Sequence, residues 1–138
     1  MERIASSSAD RTWAAGAHLT FLANFLPIPL AGLIASFAVF ALTRARGGFA
    51  HDHAREALNL QLTLLLVVIA VVAASICSLV TIPHDTAEQY VVVYVIAGVV
   101  AWSMTLVAAI AGAARAGKGE TVRFPFVLRF LREPAMYC

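Results

Sequence analysis

The chain alternates between long stretches without a charged residue and short polar segments that hold its charge. Thr12–Thr43 has 32 residues without Asp, Glu, Lys or Arg, Ala57–His84 has 28 and Gln89–Ala114 has 26. About 20 apolar residues in a helix cross a hydrocarbon core about 30 Å thick. Each stretch is long enough to do so, and the pattern predicts an integral membrane protein.

The second and third stretches each predict one membrane-spanning helix. The run Leu62–Val72 contains neither Gly nor Pro, and Pro83 marks the exit from the helix. The segment Pro83–Glu88 is so short that the next helix must return antiparallel. Gly117 and Gly119 mark the end of that last helix.

The first stretch is interrupted near its middle by two prolines. Pro27 and Pro29 each disfavour the helical conformation in the residue before them. One helix over Thr12–Thr43 would measure about 48 Å, more than a bilayer needs. We therefore predict two short helices, about Thr12–Leu26 and Leu30–Thr43, which form thin spans or a re-entrant hairpin. A single kinked helix is the alternative.

The predicted fold class is an all-α integral membrane bundle of four helices. Its parts are an N-terminal tail (1–11), the bundle (12–114) and a basic C-terminal tail (115–138). With both termini cytoplasmic, all ten Lys and Arg residues lie on the cytoplasmic side, because the Pro83–Glu88 turn has none. Three spans would push the basic N-terminal tail outside. The expected location is the cell inner (plasma) membrane, as a multi-pass protein.

Composition supports a membrane protein and argues against a nucleic-acid partner. Hydrophobic residues make up 61% of the chain and charged residues 13%, and mean hydropathy is +0.83. Soluble domains carry about 25% charged residues. The net charge of +2 is too small to indicate a nucleic-acid partner. The expected partner is the lipid bilayer, with anionic lipid at the basic tail.

Polar residues within apolar stretches are candidates for function, because placing them at membrane depth is costly. An imidazole titrates near neutral pH, so His18 could carry a proton or bind a ligand. The alternative is a neutral His18 that hydrogen-bonds across the bundle to Asn59 or Gln61. The candidate functional polar residues are His18, Asn24, His53, Glu56, Asn59 and Gln61.

The densest polar cluster, residues 51–61, predicts neither a metal site nor a catalytic site. His53 and Glu56 stand three residues apart and His51 could add a third ligand, but no familiar zinc spacing is matched. The alternative is helix capping by Asp52, with Glu56 near the positive end of the helix dipole. No nucleophile elbow or phosphate-binding glycine loop is present in the sequence. We expect no metal, no cofactor and no enzyme activity.

The segment after the last span is amphipathic. If Pro125 opens a helix, its apolar residues share one face and its arginines lie near anionic headgroups. The alternative is a segment folded back beneath the bundle. The basic residues expected to face lipid are Arg123, Arg129 and Arg132.

Small residues recur every four positions in the last span. Such stripes allow helix backbones to approach closely in a membrane. They serve either packing within the bundle or homo-oligomerisation. The stripe is Ala97, Ala101, Thr105, Ala109 and Ala113.

Several short motifs in order resemble a known family. They are Arg11-Thr12-Trp13-Ala14, the Leu26-Pro27 break, Glu56-Ala57-Leu58-Asn59-Leu60-Gln61, Gly117-Lys118-Gly119-Glu120 and Arg123-Phe124-Pro125. Over about residues 10–132 the chain resembles bacterial small polytopic membrane proteins of a domain-of-unknown-function family, themselves similar to the "Tic twenty" subunit of chloroplast import. The resemblance implies a helical bundle in the plasma membrane and little chemistry.

Two functions are compatible with these patterns. The first is a non-enzymatic membrane protein that packs with itself or with a membrane protein partner. The second is a small transporter or channel-like protein, in which four polar side chains line a pathway beside the broken first hairpin. Those four are His18, Asn24, Asn59 and Gln61.

Overall fold

The structure is a computed structural model that describes residues 7–28, 30–46 and 48–131, without the side chain of residue 85. These described residues form four α-helices, as the sequence predicted. They are α1 (Ser8–Leu19), α2 (Ala31–Thr43), α3 (Gly48–Thr81) and α4 (His84–Gly117). A 3₁₀ helix, Thr20–Phe25, continues α1.

Helix α1 begins before the charge-free stretch because Ser7 and Asp10 form a capping box. The Ser7 hydroxyl accepts a hydrogen bond from the Asp10 backbone N–H at 3.1 Å, and the Ser7 N–H donates to the Asp10 carboxylate at 3.1 Å. These bonds satisfy donors that the first helical turn leaves unpaired. The helix therefore starts at Ser8, within the segment predicted as a tail.

The break between α1 and α2 lies at the predicted place. The chain bends after the 3₁₀ helix, and Leu30 takes a left-handed conformation with φ of 61° before α2 starts. This conformation is sterically unfavourable for a residue with a Cβ, and the chain adopts it where it reverses direction. Helix α2 has 13 residues and measures about 20 Å, too short for a hydrocarbon core of about 30 Å.

Helix α3 begins earlier than expected, so the predicted N-cap role of Asp52 is wrong. The helix starts at Gly48, because Phe49 packs against Ala14 and Ala116 and draws the preceding turn into the bundle. Asp52 lies inside the helix and forms an ion pair with Arg55 at 3.0 Å.

Helix α1 packs against both long helices and runs alongside the first half of α3. From its start to its end, its buried residues meet partners successively farther along α3. Ala17 packs against Ala54 and Ala57, and Phe21 against Leu60 and Leu64. On the α4 side, the same order runs backwards from Ala116 to Ala108 and Trp102, since α3 and α4 are antiparallel.

Helices α3 and α4 form a long antiparallel hairpin, and the buried residues are concentrated in one half of it. Eleven of the 17 residues in 48–64 are buried, whereas in 65–81, all of them described, only Ser78 is buried. In residues 86–104, which are also all described, only Ala87 is buried. The second half of α3 and the first half of α4 therefore expose most of their apolar side chains.

Those exposed surfaces identify a membrane protein. Gly48–Thr81 and Thr86–Gly117 are long and apolar enough to cross a bilayer, and only 11% of the most apolar window of each helix is buried. A core helix of a soluble protein would have most of this surface buried. Lipid is the environment that accepts such a surface.

The chain after α4 forms turns along α3. Within residues 118–131, here called the tail segment, the structure shows turns and bends, including one after Pro125, and no helix. Val122 and Val127 are buried, while Phe126, Leu128 and Phe130 are exposed. Of the two arrangements considered from the sequence, the structure has the folded-back one.

Gly112 sets the distance between α1 and α4. A Cβ at this position would lie 2.6 Å from Nδ1 of the buried His18. Gly112→Ala should therefore push His18 away and lower the free energy of unfolding by about 1–3 kcal/mol, the usual cost of overpacking. Thermal unfolding of the detergent-solubilised protein measures this.

Gly16→Ala is the matched control. It lies in α1, and no described atom is within 4 Å of its Cβ position. Alanine also favours a helix more than glycine does. We expect an unchanged or higher Tm for Gly16→Ala, and equal Tm values for the two variants would contradict the packing role of Gly112.

Candidate functional site

Four polar side chains follow one another along one side of α3. His53, Glu56, Asn59 and Thr63 are three or four residues apart, so they share a face of the helix. We call them the α3 polar stripe. Every one of them makes a hydrogen bond to the backbone of the tail segment. The stripe therefore holds the chain after α4 against the bundle.

The bonds between the stripe and the tail segment are 2.8–3.2 Å long, and all but the exposed Thr63–Leu128 bond are partly buried. Oε1 of Glu56 accepts from the Phe124 N–H at 2.8 Å, and the Thr63 hydroxyl accepts from the Leu128 N–H at 3.0 Å. The Asn59 amide contacts Leu131 twice: its Oδ1 accepts from the N–H at 2.9 Å and its Nδ2 donates to the carbonyl at 3.2 Å. Because a side-chain amide has the donor and acceptor of a peptide unit, Asn59 pairs with the backbone as a strand would.

His53 also joins the stripe to α1. Its Nε2 lies 3.1 Å from the Glu120 carbonyl, which only accepts, so this nitrogen carries the proton. In the neutral ring Nδ1 then accepts from Nε2 of His18, at 3.1 Å. His18 is 1% exposed, and its Nδ1 has no hydrogen-bond partner among the described residues. The geometry thus fixes the tautomer of both rings.

A second polar group lies at the break between α1 and α2. Asn24 Nδ2 donates to Oε1 of Gln61 at 3.1 Å, and Asn24 Oδ1 accepts from the Gly32 N–H at 3.1 Å. The second bond satisfies a free N–H in the first turn of α2. Nearby, the hydroxyls of Thr20 and Ser36 are 2.6 Å apart. These contacts fasten the broken hairpin to α3.

The expected hydrogen-bond partners of His18 were wrong. His18 bonds to His53, whereas Asn59 bonds to the tail segment and Gln61 to Asn24. Asn59 and Gln61 are two positions apart on α3, so their side chains point to nearly opposite sides of the helix and meet different neighbours.

The described side chains do not form a metal site. Within residues 7–28, 30–46 and 48–131, no three His, Cys, Asp or Glu residues form a group that could hold a metal ion. His51 faces α2, where it stacks on Phe40 with ring centroids 4.6 Å apart and lies 3.3 Å from the Thr43 hydroxyl. It is not placed to join His53 and Glu56 as a third ligand.

A polar pocket of about 470 Å³ separates the start of α3 from part of the tail segment. Its lining mixes both signs of charge: Arg55 and Arg129 stand with Asp52 and Glu56. Arg123 and Arg129 are exposed, and Arg132 lies outside the described residues. Charged side chains of both signs therefore lie together at this end of the bundle.

The four residues proposed for a polar pathway do not share one. His18 pairs with His53, Asn24 with Gln61, and Asn59 with the tail segment. His53 and Asn59 lie on the face of α3 that meets the tail segment, whereas Gln61 is turned to another side of the helix, toward the broken hairpin. This separation argues against the transporter hypothesis.

Comparison with known proteins identifies the family. Residues 9–131 match MamF/MmsF, described as the magnetosome magnetite crystal formation protein family. This range includes almost all of α1, the other three helices and the tail segment. The chain belongs to this family. No curated protein and no solved structure matches it.

The family match overturns the resemblance to Tic-twenty-like proteins. The residues on which that resemblance rested have roles inside this bundle: Glu56 and Asn59 hold the tail segment, in part through the Phe124 N–H, and Gln61 holds the broken hairpin. They describe how these helices pack, and packing of this kind does not specify import.

Two residues that shape the site, Thr63 and Gly112, were not predicted from the sequence. Thr63 continues the spacing of His53, Glu56 and Asn59 by one turn, and that spacing was a readable signal. Gly112 precedes Ala113 of the small-residue stripe by one position, and nothing in the sequence shows that it faces His18. Its role depends on which helix lies opposite.

Asn59→Ala should loosen the tail segment. It leaves the N–H and carbonyl of Leu131 without their partner, which costs about 1–3 kcal/mol for buried groups. Opening of the segment, and so trypsin cleavage after Arg123 and Arg129, should become roughly tenfold faster. Limited proteolysis of the purified protein measures the rates.

Ser75→Ala serves as the control for this change. The Ser75 hydroxyl bonds at 2.8 Å to the Val71 carbonyl of its own helix and does not touch the tail segment. Cleavage of this variant should match that of the unaltered protein. If Asn59→Ala is cleaved no faster than Ser75→Ala, the stripe does not hold the tail.

Proposed function

We propose that this protein is a small, non-enzymatic subunit of the magnetosome membrane that takes part in magnetite crystal formation. The observation that carries the proposal is the family match over residues 9–131, which includes nearly the whole described fold. The sequence favoured the plasma membrane, and the family description favours the magnetosome membrane instead. The two lipid-exposed helices support either membrane.

The non-enzymatic role is supported by how the polar side chains are used. His53, Glu56 and Asn59 are buried and bonded to backbone groups of the tail segment. Side chains engaged in this way stabilise the bundle by holding the tail segment against α3. The proposed contribution to crystal formation is through the shape and surfaces of the folded protein.

The proposed topology places both termini and the α2–α3 connection in the cytoplasm. Exposed Arg11, Arg44, Arg115 and Lys118 lie at this end, whereas the turn that joins α3 to α4 has no Lys or Arg. Basic segments stay on the cytoplasmic side during insertion. Anionic headgroups are the partner proposed for this basic end.

Complementation tests the role in crystal formation. The chain is expressed in a magnetosome-forming bacterium that lacks its own members of the family, and crystal size and number are measured by electron microscopy. We expect the chain to restore both. Crystals that stay as in the deletion strain, although the protein accumulates in isolated magnetosomes, would contradict the proposal.

Glu56→Gln separates a structural from a catalytic role in the same strain. Glutamine keeps an Oε1 acceptor for the Phe124 N–H and removes the carboxylate. If the protein is not an enzyme that uses Glu56 as acid or base, this variant restores the crystals as well as the natural chain does. Loss of complementation by a folded Glu56→Gln protein would show that the carboxylate has a chemical function.

Single cysteines test the topology. Gly48→Cys and Thr86→Cys are introduced in a Cys77→Ser, Cys138→Ser background, and Gly48 has room for the side chain, since its nearest described contact would be 3.9 Å away. A membrane-impermeant maleimide added outside intact cells should label only the cysteine at position 86. Labelling at position 48 would contradict the proposed orientation.

A further inference from the structure

The four helices are unevenly distributed along the long hairpin. The break between α1 and α2 lies beside the middle of α3, because Asn24 contacts Gln61 and Phe25 packs on Trp102 with ring centroids 5.0 Å apart. The other end of α2 returns to the start of α3, where Thr43 meets His51. The α1–α2 hairpin therefore covers only the half of α3 from Gly48 to Leu64.

The tail segment adds to this same half. Its deepest contact along α3 is the bond from the Leu128 N–H to Thr63, and Val127 packs in the cluster of Phe21 and Leu64. An apolar notch of about 480 Å³ marks where this cover stops on α4, with Phe124 and Phe126 on one side and Val99 and Met104 on the other.

The protein consequently has about twice the cross-sectional area at one end that it has at the other. Each helix is about 10 Å across, and four helices stand side by side in one half but two in the other. Helix α3 has 34 residues and measures about 51 Å, slightly more than a bilayer of about 40–45 Å with its headgroups. A hairpin centred in the bilayer has the wide half in one leaflet and the narrow half in the other.

Aromatic residues support this centring. Trp13 begins the wide half, with the Arg46 guanidinium 4.6 Å from the ring centroid, and Tyr90 and Tyr94 lie near the other end of the hairpin. Trp and Tyr concentrate at the two interfaces of a membrane. The broken tip at Leu26–Ile28 is exposed and apolar and lies between these levels.

From this geometry we propose that the protein is a membrane wedge: α1 and α2 form a re-entrant hairpin that widens only the leaflet at the basic end, and the protein partitions to bilayers in which that leaflet is convex. Elements that insert into one leaflet alone are sensitive to curvature because they take area there and not opposite. The wedge shape requires only that the protein lies in a membrane. Which leaflet is convex in the cell depends on the topology proposed above, which makes it the cytoplasmic leaflet.

Ile28 tests the re-entrant hairpin. In the cysteine-free background, Ile28→Cys should react with impermeant maleimide from neither side, and a nitroxide there should be more accessible to oxygen than to a polar nickel chelate. Thr86→Cys is the matched control and should react from its own side. If position 28 reacts from the same side as position 86, α1 and α2 cross both leaflets and the wedge is wrong.

Vesicle size tests the preference for curvature. The full chain with Gly48→Cys in the Cys77→Ser, Cys138→Ser background is reconstituted at low protein-to-lipid ratio in small sonicated and in large extruded vesicles of one phospholipid composition. The fraction of chains labelled from outside should be higher in the small vesicles, whose outer leaflet is more convex. A peptide with one symmetric transmembrane helix should show no such difference.

An outside-labelled fraction that is equal in both vesicle sizes, or lower in the small ones, would overturn the proposal. An equal fraction is also expected if a second copy filled the narrow half and evened the widths. Because residue 48 reports the wide end directly in purified protein, this result does not depend on cellular orientation or on crystal formation. Failure of the wedge is therefore distinguishable from failure of the proposed function.

Discussion

The structure depends on the need to satisfy polar side chains that α3 carries into an apolar bundle. His53, Glu56, Asn59 and Gln61 are all buried on this helix. An unpaired polar group away from water costs several times what a hydrogen bond gains. Three of them hold the tail segment, His53 also bonds to His18 of α1, and Gln61 holds the broken hairpin. Helix α3 is therefore the common partner of α1, the broken hairpin and the tail segment.

This requirement explains which part of α3 is covered by other segments of the chain and which part is exposed to lipid. Beyond Leu64, α3 is mainly apolar, and the hydroxyls of Ser75 and Thr81 bond to carbonyls of their own helix. Nothing there needs another chain segment, because lipid covers aliphatic side chains without loss. The same helix thus has a half that needs protein neighbours and a half that needs lipid, and the difference in width between the leaflets follows from it.

Much of the fold was predictable because the signals were local. Runs without charge identify helices that tolerate lipid, and the prolines around Ile28 prevent a continuous helix whatever surrounds them. The start of α3 was misjudged, since Asp52 resembles a cap by type while the burial of Phe49 extends the helix to Gly48. The spacing of His53, Glu56 and Asn59 predicted that these residues share one side of a helix. The spacing does not specify which segment of the chain packs against that side.

The sequence by itself determined that this is an all-helical membrane protein with a break near Pro27 and a polar cluster at the start of the third helix. Composition and periodicity suffice for this, because each depends on neighbours along one helix. Only the tertiary structure decided that His18 meets His53 beside Gly112, that Asn59 holds Leu131, and that the first hairpin stops halfway along α3. These are contacts between segments distant in the chain, and they depend on helix rotation and depth, which no local pattern fixes.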